Sequence, residues 1–179
     1  MSRAAVFLDR DGVINEYVRE YVRTVDDFVL QTGAAEAFRL LGRLELPIVV
    51  VTNQSGIGRG YTTREIVDEI HRGLVEEAAR QGASIVSVEV CPHRPDEGCR
   101  CRKPGPALFE RAAAAHHLSW EGSWMVGDSP CDMEAAAALG LRAVRVRTGR
   151  GEEPLPPGVP VEVTTDDFLS ACRWIAGER

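Results

Sequence analysis

The sequence predicts an α/β fold: a doubly wound, Rossmann-like parallel sheet flanked by helices, with no separate cap domain. Two observations carry that prediction. Short apolar runs bounded by turn residues recur along the chain, and helix-period segments lie between them, the pattern of βαβ crossovers. The first two runs are also apolar throughout, as strands buried on both faces are.

Taken in order, the first run is Ala4–Leu8, which ends in Asp9-Arg10-Asp11-Gly12. Ala34–Leu44 has helical period, and the run Leu46–Val51 follows it and ends in Thr52-Asn53-Gln54-Ser55-Gly56. Thr62–Gln81 reads as the longest helix. Thr62 and Glu65 make a capping box, Ile66, Ile70, Leu74 and Ala78 make one apolar stripe, and Gly82 stops it. Next come the run Ile85–Val90, the helix Pro106–His117 and the run Ser123–Val126, closed by Gly127-Asp128. The helix Met133–Leu139 stops at Gly140. The run Ala143–Val146, a weaker one at Val161–Val163 and a last helix, Asp166–Ile175, complete the pattern. Gly149 to Pro160 reads as a flexible loop, and neither the stretch after the first run nor Asn53–Tyr61 is long enough for a cap.

A chain of 179 residues with 44% apolar and 27% charged residues suits one domain, 1–179, with a real core. Its net charge of −6 argues against a nucleic-acid scaffold, which needs a basic face. No apolar stretch is long enough to span a membrane. With no signal-peptide pattern in view, a cytoplasmic monomer acting on a small molecule is the expectation.

In a parallel sheet all carboxyl ends lie on one edge, and ligands bind in the crevice outside them. Asp9, Thr52 and Asp128 each follow directly on an apolar run, so they converge there. Hydrophilic residues scattered at random over loops would not fall that way. A strand-end carboxylate suits a nucleophile that forms an acyl phosphate. Asp9, the main-chain carbonyl of Asp11, and Asp128 offer hard oxygens to Mg²⁺. Asp11 lies near enough to protonate a leaving alcohol and later to activate water. Thr52 can donate to the transferring phosphoryl group. Arg10 points the other way along the turn and is assigned no chemistry.

The site still lacks a cation, and Lys103 supplies it. Of 21 basic residues it is the only lysine, so composition alone would have placed an arginine there. A compact ammonium fits a crowded phosphoryl site better than a wide guanidinium fork.

Five cysteines are present, at 91, 99, 101, 131 and 172. Cys91, His93, Cys99 and Cys101 offer three sulfurs and one imidazole within one loop, which suits a closed, structural Zn²⁺ site. A Cys99–Cys101 or Cys91–Cys99 disulfide, or free thiols, are the alternatives. Because Arg102 and Lys103 follow the last ligand, zinc in this loop, 91–101, would deliver both cations to the crevice. Cys131 and Cys172 read as packing residues.

Asp9-Arg10-Asp11-Gly12, Thr52-Asn53, Lys103 and Gly127-Asp128 with Asp132 resemble the four motifs of the haloacid dehalogenase superfamily. That resemblance implies a nucleophilic Asp9, an acid/base Asp11, a phosphoryl-stabilising Thr52 and Lys103, and Mg²⁺ at Asp9, Asp11 and Asp128. Asp132 is either a further carboxylate of the site or a solvated helix-start residue. Within the superfamily, Phe7 to Asn15, Thr52 to Gly60 and the segment from Cys91 to Pro104 resemble D-glycero-D-manno-heptose-1,7-bisphosphate 7-phosphatases. The resemblance implies hydrolysis of the C7 phosphate to give heptose 1-phosphate, in the making of lipopolysaccharide or other heptose-containing glycans. It also implies substrate contacts from Arg19, Tyr21, Asn53, Gln54, Ser55 and Arg102. An open, arginine-bearing site (Arg19, Arg59, Arg102) suits a second charged group far from the reacting phosphate. Histidinol-phosphate phosphatases share the zinc-loop spacing and are the alternative. A phospho-acceptor signalling module is the alternative from another class, and Asp11 argues against it by hastening hydrolysis of the acyl phosphate.

Overall fold

The computed structural model describes residues 2–177. The strands are β1 (Val6–Leu8), β2 (Ile48–Asn53), β3 (Ile85–Cys91), β4 (Trp124–Gly127), β5 (Arg142–Val146) and β6 (Val163–Thr165). They form one sheet in the order β3-β2-β1-β4-β5-β6, with every neighbouring pair parallel. From β1 the chain winds outward through β2 and β3, then crosses back to β4 on the other side of β1. The order therefore reverses between β1 and β4, and the crevice opens there.

Among the described residues the α-helices are α1 (Ala34–Arg43), α2 (Ser55–Gly58), α3 (Arg64–Arg80), α4 (Ala107–His116), α5 (Pro130–Leu139) and α6 (Phe168–Ile175). Successive strand side chains point to opposite faces, which sorts the apolar runs into two cores. Val6, Leu8, Ile48, Val50 and Val126 pack with α1, α3 and α6. Phe7, Val49, Val51 and Met125 pack with α4 and α5, the Phe7 ring 5.4 Å from Phe109. Each fully buried side chain of this size contributes about 1.5–3 kcal/mol. Phe38 of α1 meets Phe168 of α6 edge to face, ring centroids 5.5 Å apart, and so closes the first core at the sheet's β6 end.

The fold class and all six strands match the sequence reading, but several boundaries differ for identifiable reasons. Thr63, not Thr62, caps α3; its hydroxyl accepts from the Ile66 N–H, while Thr62 donates to the Arg23 carbonyl. The buried stripe of α3 is Val67, Ile70, His71, Leu74 and Ala78, so a histidine replaces Ile66 at the core. Helix α5 begins at Pro130, because proline is well suited to a first turn. Strand β6 sits two residues later than expected, and the four-residue α2 carried no helical period to find. The loop 149–160 holds neither helix nor strand, yet its first half is anchored. Arg145 donates to the Glu153 carbonyl and the Arg150 N–H to Asp128.

Replacing Phe168 with alanine removes the aromatic seal between α1 and α6 and leaves a cavity. Stability should fall by about 3–5 kcal/mol in urea denaturation, and a loss below about 1 kcal/mol would contradict this view of the core.

Candidate active site

The site is built where β1, β2 and β4 release their last residues. Asp9 leaves β1 and is 8% exposed. The Arg10 N–H and the Lys103 ammonium both bond its Oδ1, at 2.7 and 2.8 Å, and among the described residues no donor bonds Oδ2. Lys103 is also buried. Its Nζ stands 2.6 Å from Asp132 Oδ1 and donates to the Val51 carbonyl at 2.7 Å. Burial alone would lower the lysine pKa, but Asp132 and Asp9 hold the ammonium charged well above its ordinary range.

Asp132 is therefore no solvated helix-start residue. It is fully buried, receives the Ser129 N–H and hydroxyl on Oδ2, and turns Oδ1 to Lys103. Gly127 makes room for it, since a Cβ there would fall 2.3 Å from the Asp132 Cβ. Asp128, 1% exposed, is fixed by the Arg150 main-chain N–H at 2.7 Å. Two glycines form its cradle. A Cβ on Gly12 would sit 2.2 Å from Asp128 Oδ2, and one on Gly149 would sit 2.1 Å away. The glycine after Asp11 is thus required by close approach as well as by its φ of 84°.

Oxygens of Asp9, Asp128 and Asp132 lie within 4.8 Å of one another. Three buried carboxylates face one ammonium, an excess of two negative charges in a place water scarcely reaches. Burial pushes Asp9 up to about 7, helped by Asp132 and opposed by Lys103. Burial likewise pushes Asp128 up to about 8, with Asp9 and Asp132 adding to the rise. A divalent cation with hard oxygen ligands answers that imbalance.

Asp11 is treated oppositely. Burial would raise its pKa, but Arg10, Asn15 and Gln54 together hold it below the usual carboxylate range. Arg10 Nη2 reaches both its oxygens, at 2.8 and 2.9 Å, while the Asn15 and Gln54 amides donate at 2.9 and 2.7 Å. Arg10 is thus a correction: it folds back onto Asp11, 1% exposed, instead of pointing away without a role. Gln54 also donates to Thr52 Oγ1 at 2.8 Å, so the threonine oxygen accepts there and its own O–H is free to donate. Asn53 clasps the Lys103 backbone from both sides, its Oδ1 accepting from the N–H and its Nδ2 donating to the carbonyl.

Every residue assigned to catalysis or substrate contact from the sequence borders this one cleft: Asp9, Asp11, Arg19, Tyr21, Thr52, Asn53, Gln54, Ser55, Arg102 and Lys103, with Asp128 beside them. Arg59 does not; it is exposed outside the cleft, and Arg150 lines the wall instead. Tyr17, Val18, Ser129 and Cys131 also line it. Tyr17 and Val18 lie in a coil whose course no periodicity announces.

The cysteine loop closes on itself nearby. Cys101 Sγ lies 3.3 Å from Cys91 Sγ and 3.5 Å from Cys99 Sγ, and 3.1 Å from His93 Nδ1; Cys91 is 3.7 Å from Cys99. Ligands bound tetrahedrally at zinc distances stand about 3.5–3.8 Å apart, so these four atoms outline such a site. Disulfide bonding is absent: all five cysteines are free.

A HAD-hydrolase-like family model matches residues 100–167. The D-glycero-β-D-manno-heptose-1,7-bisphosphate 7-phosphatase of Pseudomonas putida is 42% identical over 166 residues, covering 93% of this chain and 95% of its own. That of Pseudomonas aeruginosa is 40% identical over 96% of both chains. The crystal structure of D,D-heptose 1,7-bisphosphate phosphatase from B. bronchiseptica, complexed with magnesium and phosphate, superposes with a TM-score of 0.88. It is 31% identical and covers 98% of this chain and 99% of its own. With 40–42% identity to these relatives over more than nine-tenths of each chain, this chain belongs to the heptose-1,7-bisphosphate 7-phosphatase family of HAD-like hydrolases.

Proposed function

We propose that this chain, as one domain over residues 1–179, hydrolyses the C7 phosphate of D-glycero-β-D-manno-heptose 1,7-bisphosphate through an aspartyl phosphate on Asp9. The single observation that carries the mechanism is the buried Lys103 ammonium, 2.8 Å from Asp9 and 2.6 Å from Asp132. The substrate is the one named for the relatives that match the chain from end to end.

Asp9 attacks phosphorus with the oxygen that Lys103 and the Arg10 N–H leave open. The bond from phosphorus to the sugar oxygen breaks, and Asp11 gives its proton to the departing alcohol. Water then attacks the aspartyl phosphate, Asp11 takes its proton, and phosphate leaves. Thr52 and Lys103 stabilise the charge on the transferring oxygens throughout. Asp9, Asp128 and the Asp11 carbonyl would hold Mg²⁺, which would supply the positive charge that lets a phosphate approach a carboxylate. At rest Asp11 is ionised, as the second step requires. The first step needs it protonated, which an incoming phosphate dianion favours by placing like charge beside it.

Arg102 supports a polyanionic substrate. Its Nη1 is buried without a hydrogen-bond partner on the cleft wall, a donor suited to an anion. Arg19, Tyr21, Asn53, Gln54 and Ser55 border the same space and complete the proposed contacts. Zn²⁺ on Cys91, His93, Cys99 and Cys101 would brace the loop that ends in Arg102 and Lys103. Five cysteines without a disulfide suit a reducing compartment, which supports the cytoplasm. All proposed residues belong to one chain, so the monomer is the proposed active unit.

A phosphate-release assay should favour the β anomer of the heptose bisphosphate over histidinol phosphate by about two orders of magnitude in kcat/KM. Preference for histidinol phosphate would overturn the substrate assignment. Lys103→Arg should lower kcat by about a hundredfold, whereas Arg80→Lys on the surface of α3 should leave it unchanged. Near-wild-type turnover by Lys103→Arg would remove the reason for a lone lysine. Stripping zinc should weaken turnover until Zn²⁺, and not Mg²⁺ alone, is restored. Full turnover by zinc-free protein would detach the loop from catalysis.

A further inference from the structure

Arg10 is the largest fully buried side chain of the protein. A buried guanidinium is tolerated only when its donors are partnered. Its Nη2 bonds Asp11 and, at 3.1 Å, Gln54 Oε1, and its Nε lies 3.3 Å from Asp11 Oδ1. Its Cζ lies 5.6 Å from the centre of the Phe28 ring, a cation–π contact. The remaining nitrogen, Nη1, stands 3.2 Å from His71 Nε2, on α3 and 61 residues away. Guanidinium can only donate, so His71 Nε2 accepts and the imidazole proton sits on Nδ1.

His71 is 5% exposed, in the middle of the α3 stripe where an aliphatic side chain would pack as well. Burial and the Arg10 charge push it down to about 3, with Asp11 opposing and Arg64 adding slightly, so the imidazole is a standing acceptor. We propose that His71 is a positioning residue for the reaction: by accepting from Nη1 it fixes the plane of the Arg10 fork, and that fork places the Asp11 carboxylate at the cleft. The role rests on the reading of Asp11 as the proton carrier.

The geometry explains why an acceptor is needed. Nε and Nη2 both face Asp11, so Nη1 is the nitrogen of the fork still in need of an acceptor, and His71 supplies it. Without it, Nη1 is a buried donor with no partner, and the fork turns to find one. A displacement of about 1 Å in a catalytic group can cost a hundredfold in rate. Of the proposed substrate contacts, Gln54 alone is bonded to this fork, while Arg19 and Arg102 are not, so the cost should fall mainly on kcat.

The test compares His71→Leu, which keeps the volume and removes the acceptor, with His71→Gln, whose Oε1 can stand near the Nε2 position. Phosphate release from the heptose bisphosphate is measured on Mg²⁺- and Zn²⁺-replete protein. His71→Leu should lose about ten- to a hundredfold in kcat with KM within about twofold, and His71→Gln should recover most of the loss. Arg10→Lys, which keeps a cation for Asp11 but cannot span to His71, should show the same loss. It carries the test if His71→Leu does not fold. Adding His71→Gln to Arg10→Lys should then change nothing further. The role is overturned if His71→Leu matches wild type, if glutamine fails alongside leucine, or if the loss lies in KM. It is also overturned if Arg10→Lys keeps wild-type kcat. An inactive wild-type protein would overturn the phosphatase reading itself, and this role with it.

Discussion

One buried ammonium organises the site. Lys103 Nζ is shared by Asp9, Asp132 and the Val51 carbonyl, each within 2.8 Å. Those partners come from β1, from the first turn of α5 and from β2, so the lysine ties together the elements that flank the switch point. Its own backbone is clasped by Asn53 at the end of β2. Removing the charge would leave Asp9 and Asp132 buried and unopposed, at a cost of several kcal/mol. The cysteine loop has a physical purpose in this light, because it delivers the residue that two carboxylates wait for.

Charge is distributed unevenly around the two motif aspartates, and that difference separates their proposed roles. Asp9 shares one cation with two other carboxylates, and burial drives its pKa upward. Asp11 is bonded by Arg10 and by the Asn15 and Gln54 amides, which hold it ionised. Two aspartates only two residues apart thus occupy opposite electrostatic environments. The turn between them achieves this by setting Asp9 against Lys103 and Asp11 against Arg10. Gly12 permits the turn and, with Gly149, leaves room for Asp128.

The fold class and most of the site were legible in the sequence because both depend on short-range signals. Apolar runs locate strands, and a polar residue directly after each run lands on one edge. The lone lysine and the three clustered cysteines are compositional signals that need no coordinates. Asp132 stayed ambiguous because its burial depends on Gly127 and Lys103, which periodicity does not bring together. Arg10 reads from the sequence as pointing the other way along the turn, whereas it folds back onto Asp11, a contact that no spacing announces. The apolar stripe of α3 holds at Ile70, Leu74 and Ala78 but not at Ile66, and His71 escaped it because a histidine carries no apolar signal. Arg150 lies in a loop whose sequence reads as flexible and whose anchors, Arg145 and Asp128, come from β5 and the end of β4.

The claim on which all else rests is that Asp9 carries the phosphoryl group. Rapid acid quench during turnover, followed by mass spectrometry of the peptide that spans Asp9 and Asp11, tests it directly. The expected result is one added phosphoryl mass on Asp9, appearing and decaying at a rate consistent with kcat. A phosphoryl group on Asp11, or turnover with none bound to the protein at any quench time, would contradict it.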